Sequence, residues 1–457
     1  MPPPDANWTV PRYHDASLPD LLPSVLATLT DHRAEAFGFT DHLGLGARLD
    51  GVRRIGVVLV DGLGYHLLGT AAAAAHALSP GRGGAIADVL GGRLGELGTL
   101  TAGFPSTTPV SLVGLGTGVR PGEHGVVGFS VRVPGTDRVL NHVKWWDDPD
   151  PDTWQPVPTM FGRAVSAGVA ATVVSRKEFT GSGLTTAAYR GAAYRGAGNV
   201  DALAAEVRSL LAAGSGPTMV YGYHPDLDHA GHVSSIASTD WREAATEVDR
   251  LVTLLATDVP ADTAILVTAD HGQFDVPDDR RFDVDTDRRL RRGVDVMAGE
   301  PRVRYLHTAP GATDDVVDSW RGVLGGRRLS EPVVTLGPWD AVRSCRVAEA
   351  ARSGGAGRAI SDPAISDLAP TTPGARSCMS TWTRSSHRSR SAGVRSLPAS
   401  RSSSAAPVRA ASSVPRVTRH ASSVCAARCR APRRAGCARR PSFSRPISAS
   451  IRPRPGS

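Results

Sequence analysis

Residues 55–64 read Ile55-Gly56-Val57-Val58-Leu59-Val60-Asp61-Gly62-Leu63-Gly64. The apolar run over 55–60 has strand length and no polar alternation, as in a strand buried on both faces of a parallel sheet. Asp61 follows directly, so a carboxylate stands at the strand's C-terminal end with glycines behind it. Two further runs, residues 219–221 and 264–268, read the same way and also end in polar residues. Residues 201–213 (DALAAEVRSLLAA), 241–255 (WREAATEVDRLVTLL) and 314–324 carry a helical pattern between and beyond them. This alternation predicts an α/β fold: a doubly wound, mostly parallel sheet with helices on both faces. Residues 126–143 (VVGFSVRVPGTDRVLNHV) break the rhythm with two alternating runs around Pro134-Gly135-Thr136-Asp137, which predicts a β-hairpin laid over the sheet. Residues 144–200, with Trp145, Trp146, Trp154 and many glycines, extend it into a lid insertion over about 126–200.

The chain has 457 residues and a formal net charge of +8. That charge is divided unevenly. Residues 371–457 hold 18 Arg and no Lys, Asp or Glu; removing those 18 charges from +8 leaves −10 on residues 1–370. The body is therefore acidic, and the basic total does not argue for nucleic-acid binding by it. The tail is dominated by Arg, Ser, Ala and Pro and lacks the apolar surface to offset ordering entropy, so disorder is expected there. Two other readings apply to it: a nucleic-acid-binding arm, or an altered reading frame of a GC-rich gene, which suits 50 Arg against 2 Lys in the whole chain. The domain reading is a catalytic unit over 1–340, a transition over 341–370 and the tail over 371–457. All five cysteines (Cys345, Cys378, Cys425, Cys429, Cys437) lie in the last quarter, without a CxxC pair. A cysteine-free body fits a reducing compartment. No run of 18 apolar residues spans a membrane and no secretory signal opens the chain, so the expected location is cytoplasmic.

Four segments carry the chemistry. Asp61 is the first, a weak signal alone because many strands end in Asp. The second is Phe104-Pro105-Ser106-Thr107-Thr108-Pro109-Val110-Ser111, where hydroxyls precede a proline that can open a helix. A hydroxyl there meets free backbone N–H groups and a positive dipole end, which favour an attacking alkoxide and a bound phosphate. The third is His224-Pro225-Asp226-Leu227-Asp228-His229-Ala230-Gly231-His232. Asp228 and His232 are four apart and share a helix face, and mixed Asp/His ligation suits Zn²⁺, with Mn²⁺ as the alternative. The fourth is Ala269-Asp270-His271-Gly272-Gln273, again after an apolar run. Each has a bland reading: a solvated loop, a helix cap, an ordinary strand end. Their order and their shared place at strand ends favour one composite site.

The arrangement resembles the alkaline phosphatase superfamily, and within it the type I phosphodiesterase/nucleotide pyrophosphatase branch. The resemblance covers about residues 50–310 and is most specific in TTPVSLVGLGTGVRPGEHGVVGF, DLDHAGH and TADHG. It implies two divalent metal ions, usually zinc, held as a clamp on a small phosphoester. Asp61, Thr107, Asp270 and His271 would hold one ion, and Asp228 and His232 the other. Thr107 would be the nucleophile, because Thr107-Thr108-Pro109 fits the family's Thr-x-Pro, with Ser106 and Thr108 as alternatives. A phosphothreonine intermediate would form and be hydrolysed. His124, in GEHG, matches a position near the family's site.

Three departures qualify the resemblance. The family completes the second metal site with a late histidine in a His-Gly context, and only His307, His387 and His420 follow His271 here, none before glycine. Nucleotide-cleaving relatives carry an Asn where this chain has Phe129. Sulfatases need an arginine where this chain has Ser111. The first reading is thus a metal-dependent phosphoester hydrolase. The alternatives are an inactive relative lacking the last metal-binding histidine, or a related phosphonate hydrolase or phosphomutase. The aromatic pair Trp145-Trp146 reads as core before base-stacking surface, and Arg190 and Arg195 as loop residues before phosphate ligands. Nothing in the sequence sets the oligomeric state or points to a membrane partner.

Overall fold

Side chains alternate across a strand, so the run that ends at Asp61 supplies two apolar layers at once. The computed structural model describes residues 9–78 and 84–324 and the short strands Val333–Val334, Arg376–Ser380 and Ile447–Ser448. In it the run is the strand Arg54–Val60. Ile55, Val57 and Leu59 enter one core layer, and Val58 and Val60 enter the other. Burying each such side chain contributes roughly 1.5–3 kcal/mol, so the strand is stable only where both faces are covered.

They are covered. Arg54–Val60 is flanked in parallel by Thr218–His224 on one side and Thr263–Thr268 on the other. Ala170–Ser175 and then Ala193–Gly196 extend the sheet beyond Thr218–His224, also in parallel. Two-residue strands at Ile447–Ser448 and Glu96–Leu97 continue the far flank. Helices Leu21–Thr30, Thr108–Thr117, Met160–Ser166 and Gly183–Tyr189 pack on the first layer. Helices Leu68–Leu78, Val200–Ala213 and Thr239–Ala256 pack on the second. This is the doubly wound arrangement expected. The longer helices begin where their caps say: the Asn199 side chain accepts the Ala202 amide at 2.9 Å, and Ser238 accepts that of Trp241 at 3.1 Å.

The region read as a lid is built differently. Ala170–Ser175 and Ala193–Gly196 are strands of the central sheet, so only part of 126–200 lies outside it. Ala193–Gly196 is short and an exposed edge, and in Ala170–Ser175 the apolar run is interrupted by Thr172, so neither carries an unbroken apolar run. The hairpin exists, as Ser130–Arg132 against Val139–Asn141. It docks on a second antiparallel hairpin, Val294–Gly299 with Arg304–Thr308. The Ser130 hydroxyl donates to the Gly299 carbonyl at 2.7 Å, and the Tyr305 hydroxyl to that of Val127 at 2.5 Å. Trp145 and Trp154 are buried, and the Trp145 indole donates to the Pro149 carbonyl at 2.7 Å; Trp146 is exposed. Arg190 donates to the carbonyls of Gln155 and Val157 and pairs with Asp152, and Arg195 pairs with Glu206. No helix among the described residues is long and apolar enough to cross a membrane. The boundaries near 340 and 370, and the tail apart from its two short strands, lie outside the described residues.

Two buried histidines give the fold an acid-sensitive limb. His142 lies in the core, its Nδ1 2.8 Å from the Gly128 carbonyl, and burial pushes its pKa down to about 4. His124 is also fully buried, and burial, with His142 nearby, pushes it to about 3. Unfolded histidines take up protons below about pH 6.5, and these two resist until well below it. Stability is therefore full above pH 6.5 and falls as pH drops toward 4, by up to ~3 kcal/mol for His142. The midpoint of urea unfolding should fall across that window, and His142→Gln should flatten the fall. An equal slope in the variant would contradict this origin.

Candidate active site

The site forms where three parallel strands end. Asp61 follows Arg54–Val60, Asp270 and His271 follow Thr263–Thr268, and Asp228 lies in the first turn of the helix Asp226–Ser234, just after Thr218–His224. Chain crossings at adjacent strand ends bring these groups together although up to 210 residues separate them in sequence. The approach depends on glycine. A Cβ on Gly64 would lie 2.5 Å from the Gly272 Cα, so the two loops touch backbone to backbone.

Asp61, Asp270 and His271 present ligand atoms that all lie within 4.8 Å of one another. His271 Nε2 stands 3.5 Å from Asp61 Oδ1 and 3.4 Å from Asp270 Oδ2. His271 Nδ1 lies 3.2 Å from the Gly272 carbonyl, and with its proton donated there Nε2 offers a lone pair to the cluster. Asp270 is fully buried. Its Oδ1 accepts the Gly62 and His271 amides at 3.1 and 2.9 Å, while its Oδ2 has no hydrogen-bond partner among the described residues. The Tyr223 hydroxyl donates to Asp61 Oδ2. Burial, with Asp270 and Asp228 nearby, holds the Asp61 carboxyl well above the usual carboxylate range. Burial raises Asp228 as well, against the opposing pull of His271 and His232.

The threonine pair divides. Thr107 is the residue before the helix Thr108–Thr117, with extended backbone, and it is buried. It lies near the carboxyl of Glu300, whose pKa is raised by burial and partly lowered again by Arg302 and by Thr107. Thr108 Oγ1 is the hydroxyl at the cluster, 3.1 Å from His271 Nε2 and 3.4 and 3.5 Å from the Asp61 oxygens. The expectation that Thr107 joins Asp61, Asp270 and His271 is thus not what the geometry shows: Thr107 is still in extended backbone and Thr108 is the first helical residue, so the two side chains leave the chain in different directions. The Thr-x-Pro spacing favours Thr107, whereas the hydroxyl beside the cluster is that of Thr108, the alternative one residue on.

Asp228 and His232 share a helix face, with Oδ2 and Nε2 3.3 Å apart, but His232 is 74% exposed. No third His, Cys, Asp or Glu joins this pair into a metal-type group among the described residues. His307 lies on the strand Arg304–Thr308 with its pKa pushed to about 4 by burial; His387 and His420 lie outside the described residues. His124 is a core residue, with Nδ1 accepting the Val126 amide at 3.2 Å.

Several residues at the site carry no sequence signal. Gln273 Nε2 donates to Asp228 Oδ1 at 2.8 Å and to its carbonyl at 2.9 Å, while Oε1 accepts the Trp241 indole at 3.0 Å. Ser111 donates to the Asp270 carbonyl at 3.0 Å. Arg302 donates to the Ser106 carbonyl at 2.9 Å.

The donors suit a divalent cation. Three acidic side chains converge with one imidazole, and one carboxylate oxygen is buried without a hydrogen-bond partner among the described residues. Such an arrangement is costly without a positive charge.

The sequence pattern of the family described as type I phosphodiesterase / nucleotide pyrophosphatase matches residues 57–353. No curated protein matches the chain in sequence. Among solved structures, murine ectonucleotide pyrophosphatase/phosphodiesterase 5 is 15% identical, with a TM-score of 0.48 over 72% of this chain and 79% of its own. An inactive variant of that murine protein in complex with AMP is 16% identical, with a TM-score of 0.46 over 59% of this chain and 70% of its own. The human counterpart is 15% identical, with a TM-score of 0.42 over 59% and 69%.

Proposed function

Because the chain belongs to the type I phosphodiesterase/nucleotide pyrophosphatase family of phosphoric ester hydrolases, we propose that it hydrolyses small phosphoesters, diesters first, with Thr108 as nucleophile. The observation that carries this reading is the Thr108 hydroxyl set among Asp61, Asp270 and His271 at the first turn of a helix.

In this reading Asp61, Asp270, His271 and Thr108 hold one divalent cation, and Asp228 and His232 hold the second. When bound, the cations lower the pKa of a coordinated hydroxyl and offset charge on the phosphoryl oxygens. The chain's own groups supply the rest. Tyr223 and the Gly62 amide fix the two carboxylates, so they cannot turn apart when the site is empty of substrate. Gln273 holds Asp228 in the same way. The free amides at the start of Thr108–Thr117 face the phosphoryl group and favour its negative charge. Thr108 Oγ1 attacks phosphorus in line and gives its proton to solvent, from which the leaving alkoxide takes one up. The leaving alkoxide departs, and water then attacks the phosphothreonine to return the free hydroxyl and phosphate or a phosphomonoester.

A second reading is favoured by one observation: among the described residues, Asp228 and His232 have no third partner. There the chain binds one cation firmly and turns over poorly. Both are tested by chelating the purified protein and adding back Zn²⁺ or Mn²⁺ with bis-p-nitrophenyl phosphate or p-nitrophenyl phosphate as substrate. The proposed function predicts activity lost on chelation, restored by either metal at micromolar levels, and greater on the diester. Restoration only at millimolar metal, with trace turnover, selects the second reading. Full activity after chelation contradicts both.

A further inference from the structure

The N-terminal arm holds another set of metal-type donors that the proposed reaction leaves unused. Ligand atoms of His14, Asp20 and His42 lie within 4.8 Å of one another. The two imidazole rings stand 5.3 Å apart at 51°. Asp20 is 2% exposed, and its position has an ordinary explanation. Oδ2 accepts the Ser17 amide and hydroxyl at 2.9 and 2.7 Å, a capping box at the short helix Leu18–Asp20, and Oδ1 accepts the His14 amide at 3.0 Å. That box explains the carboxylate and leaves the imidazoles unexplained. Neither ring has a hydrogen bond or ion pair among the described residues, yet both are turned to the same acid. A carboxylate accepts at about four positions, so three donors leave one direction open.

The backbones that carry the rings are already fixed. Asp20 holds the His14 amide. His42 sits in a loop tied on both sides: Asp41 accepts the Leu45 and Gly46 amides at 2.9 and 2.8 Å, and Ser24 accepts that of Leu43 at 3.2 Å. Little further ordering is needed to close three donors on an ion. Two imidazoles and one carboxylate suit Zn²⁺ over Mg²⁺ or Ca²⁺, with water in the remaining position.

We propose that His14, Asp20 and His42 form a zinc site, separate from the catalytic cluster, that clasps the N-terminal arm to the 41–46 loop. Its place gives it a mechanical consequence. The arm pairs with the run-up to the nucleophile: the Arg12 amide donates to Thr101 Oγ1 at 2.8 Å, the Leu18 amide donates to the Thr101 carbonyl and the Thr101 amide to the Ala16 carbonyl, both at 2.9 Å, and the Phe104 amide donates to the Tyr13 hydroxyl at 3.3 Å. An ion on the clasp stiffens residues 101–104 ahead of Thr107 and Thr108.

The test titrates chelated full-length protein with Co²⁺, read by visible absorption, and counts bound Zn²⁺ after dialysis. Four chains are compared: the natural one, His42→Ala, the catalytic-site pair Asp61→Asn/His271→Ala, and the triple variant. The expected result is about one fewer ion in His42→Ala, and a Co²⁺ spectrum in the catalytic-site pair that the triple variant loses. An unchanged ion count in His42→Ala overturns the proposal. So does a catalytic-site pair that binds no Co²⁺; because that pair keeps the arm intact, it decides the matter even should His42→Ala fold poorly. Loss of hydrolysis in the pair, with the arm's ion retained, separates this inference from the proposed function.

Discussion

Thr108→Ala is expected to lower kcat/KM on bis-p-nitrophenyl phosphate by ~10³-fold or more, since no other hydroxyl among the described residues offers itself to both the imidazole and the carboxylate of the cluster. Thr107→Ala should behave otherwise. It removes a buried hydroxyl that helps hold down the raised pKa of the Glu300 carboxyl. The cost falls on stability, about 1–2 kcal/mol, with activity held within roughly tenfold. Steady-state kinetics and thermal unfolding on the two variants read both effects. The opposite pattern, an inactive Thr107→Ala beside a working Thr108→Ala, would return the nucleophile's role to Thr107.

The second large effect comes from a residue that touches no substrate. Gly64→Ala puts a methyl group 2.5 Å from the Gly272 Cα and 2.9 Å from its amide nitrogen. Both are backbone atoms, so the loop carrying His271 must move as a unit. A shift of about 1 Å at a reacting group costs on the order of 10²-fold in rate. Overpacking of this kind also destabilises by roughly 1–3 kcal/mol. Gly69→Ala is the control, because its added Cβ meets nothing within 4 Å. It sits in the helix Leu68–Leu78 and should be neutral or slightly stabilising. A Gly64→Ala enzyme with natural activity and melting temperature would show that the loops are not locked.

The residues show why some of this is legible before any folding is known. A strand buried on both faces needs an uninterrupted apolar run, so residues 55–60 stand out, and the polar residues at the run's end follow. Asp61, Asp270 and His271 are therefore readable. Edge strands need only partial burial, and Ala193–Gly196, mostly exposed, has no such run; it and Ala170–Ser175 look like lid in the sequence. The choice between Thr107 and Thr108 rests on the angle at which a helix leaves an extended segment, which composition does not encode. Tyr223 and Gln273 act through a register and a loop approach that exist only after the sheet is assembled. Glu300 belongs to a hairpin that no motif marks.

The most direct measurement is to mix enzyme, metal and a diester with a good leaving group, quench in acid before steady state, and map phosphate by peptide mass spectrometry. The account predicts a phosphoryl group on Thr108, absent from Thr108→Ala and still present in Thr107→Ala. Phosphate on Thr107, or product released with no phosphorylated residue at any time, would contradict it.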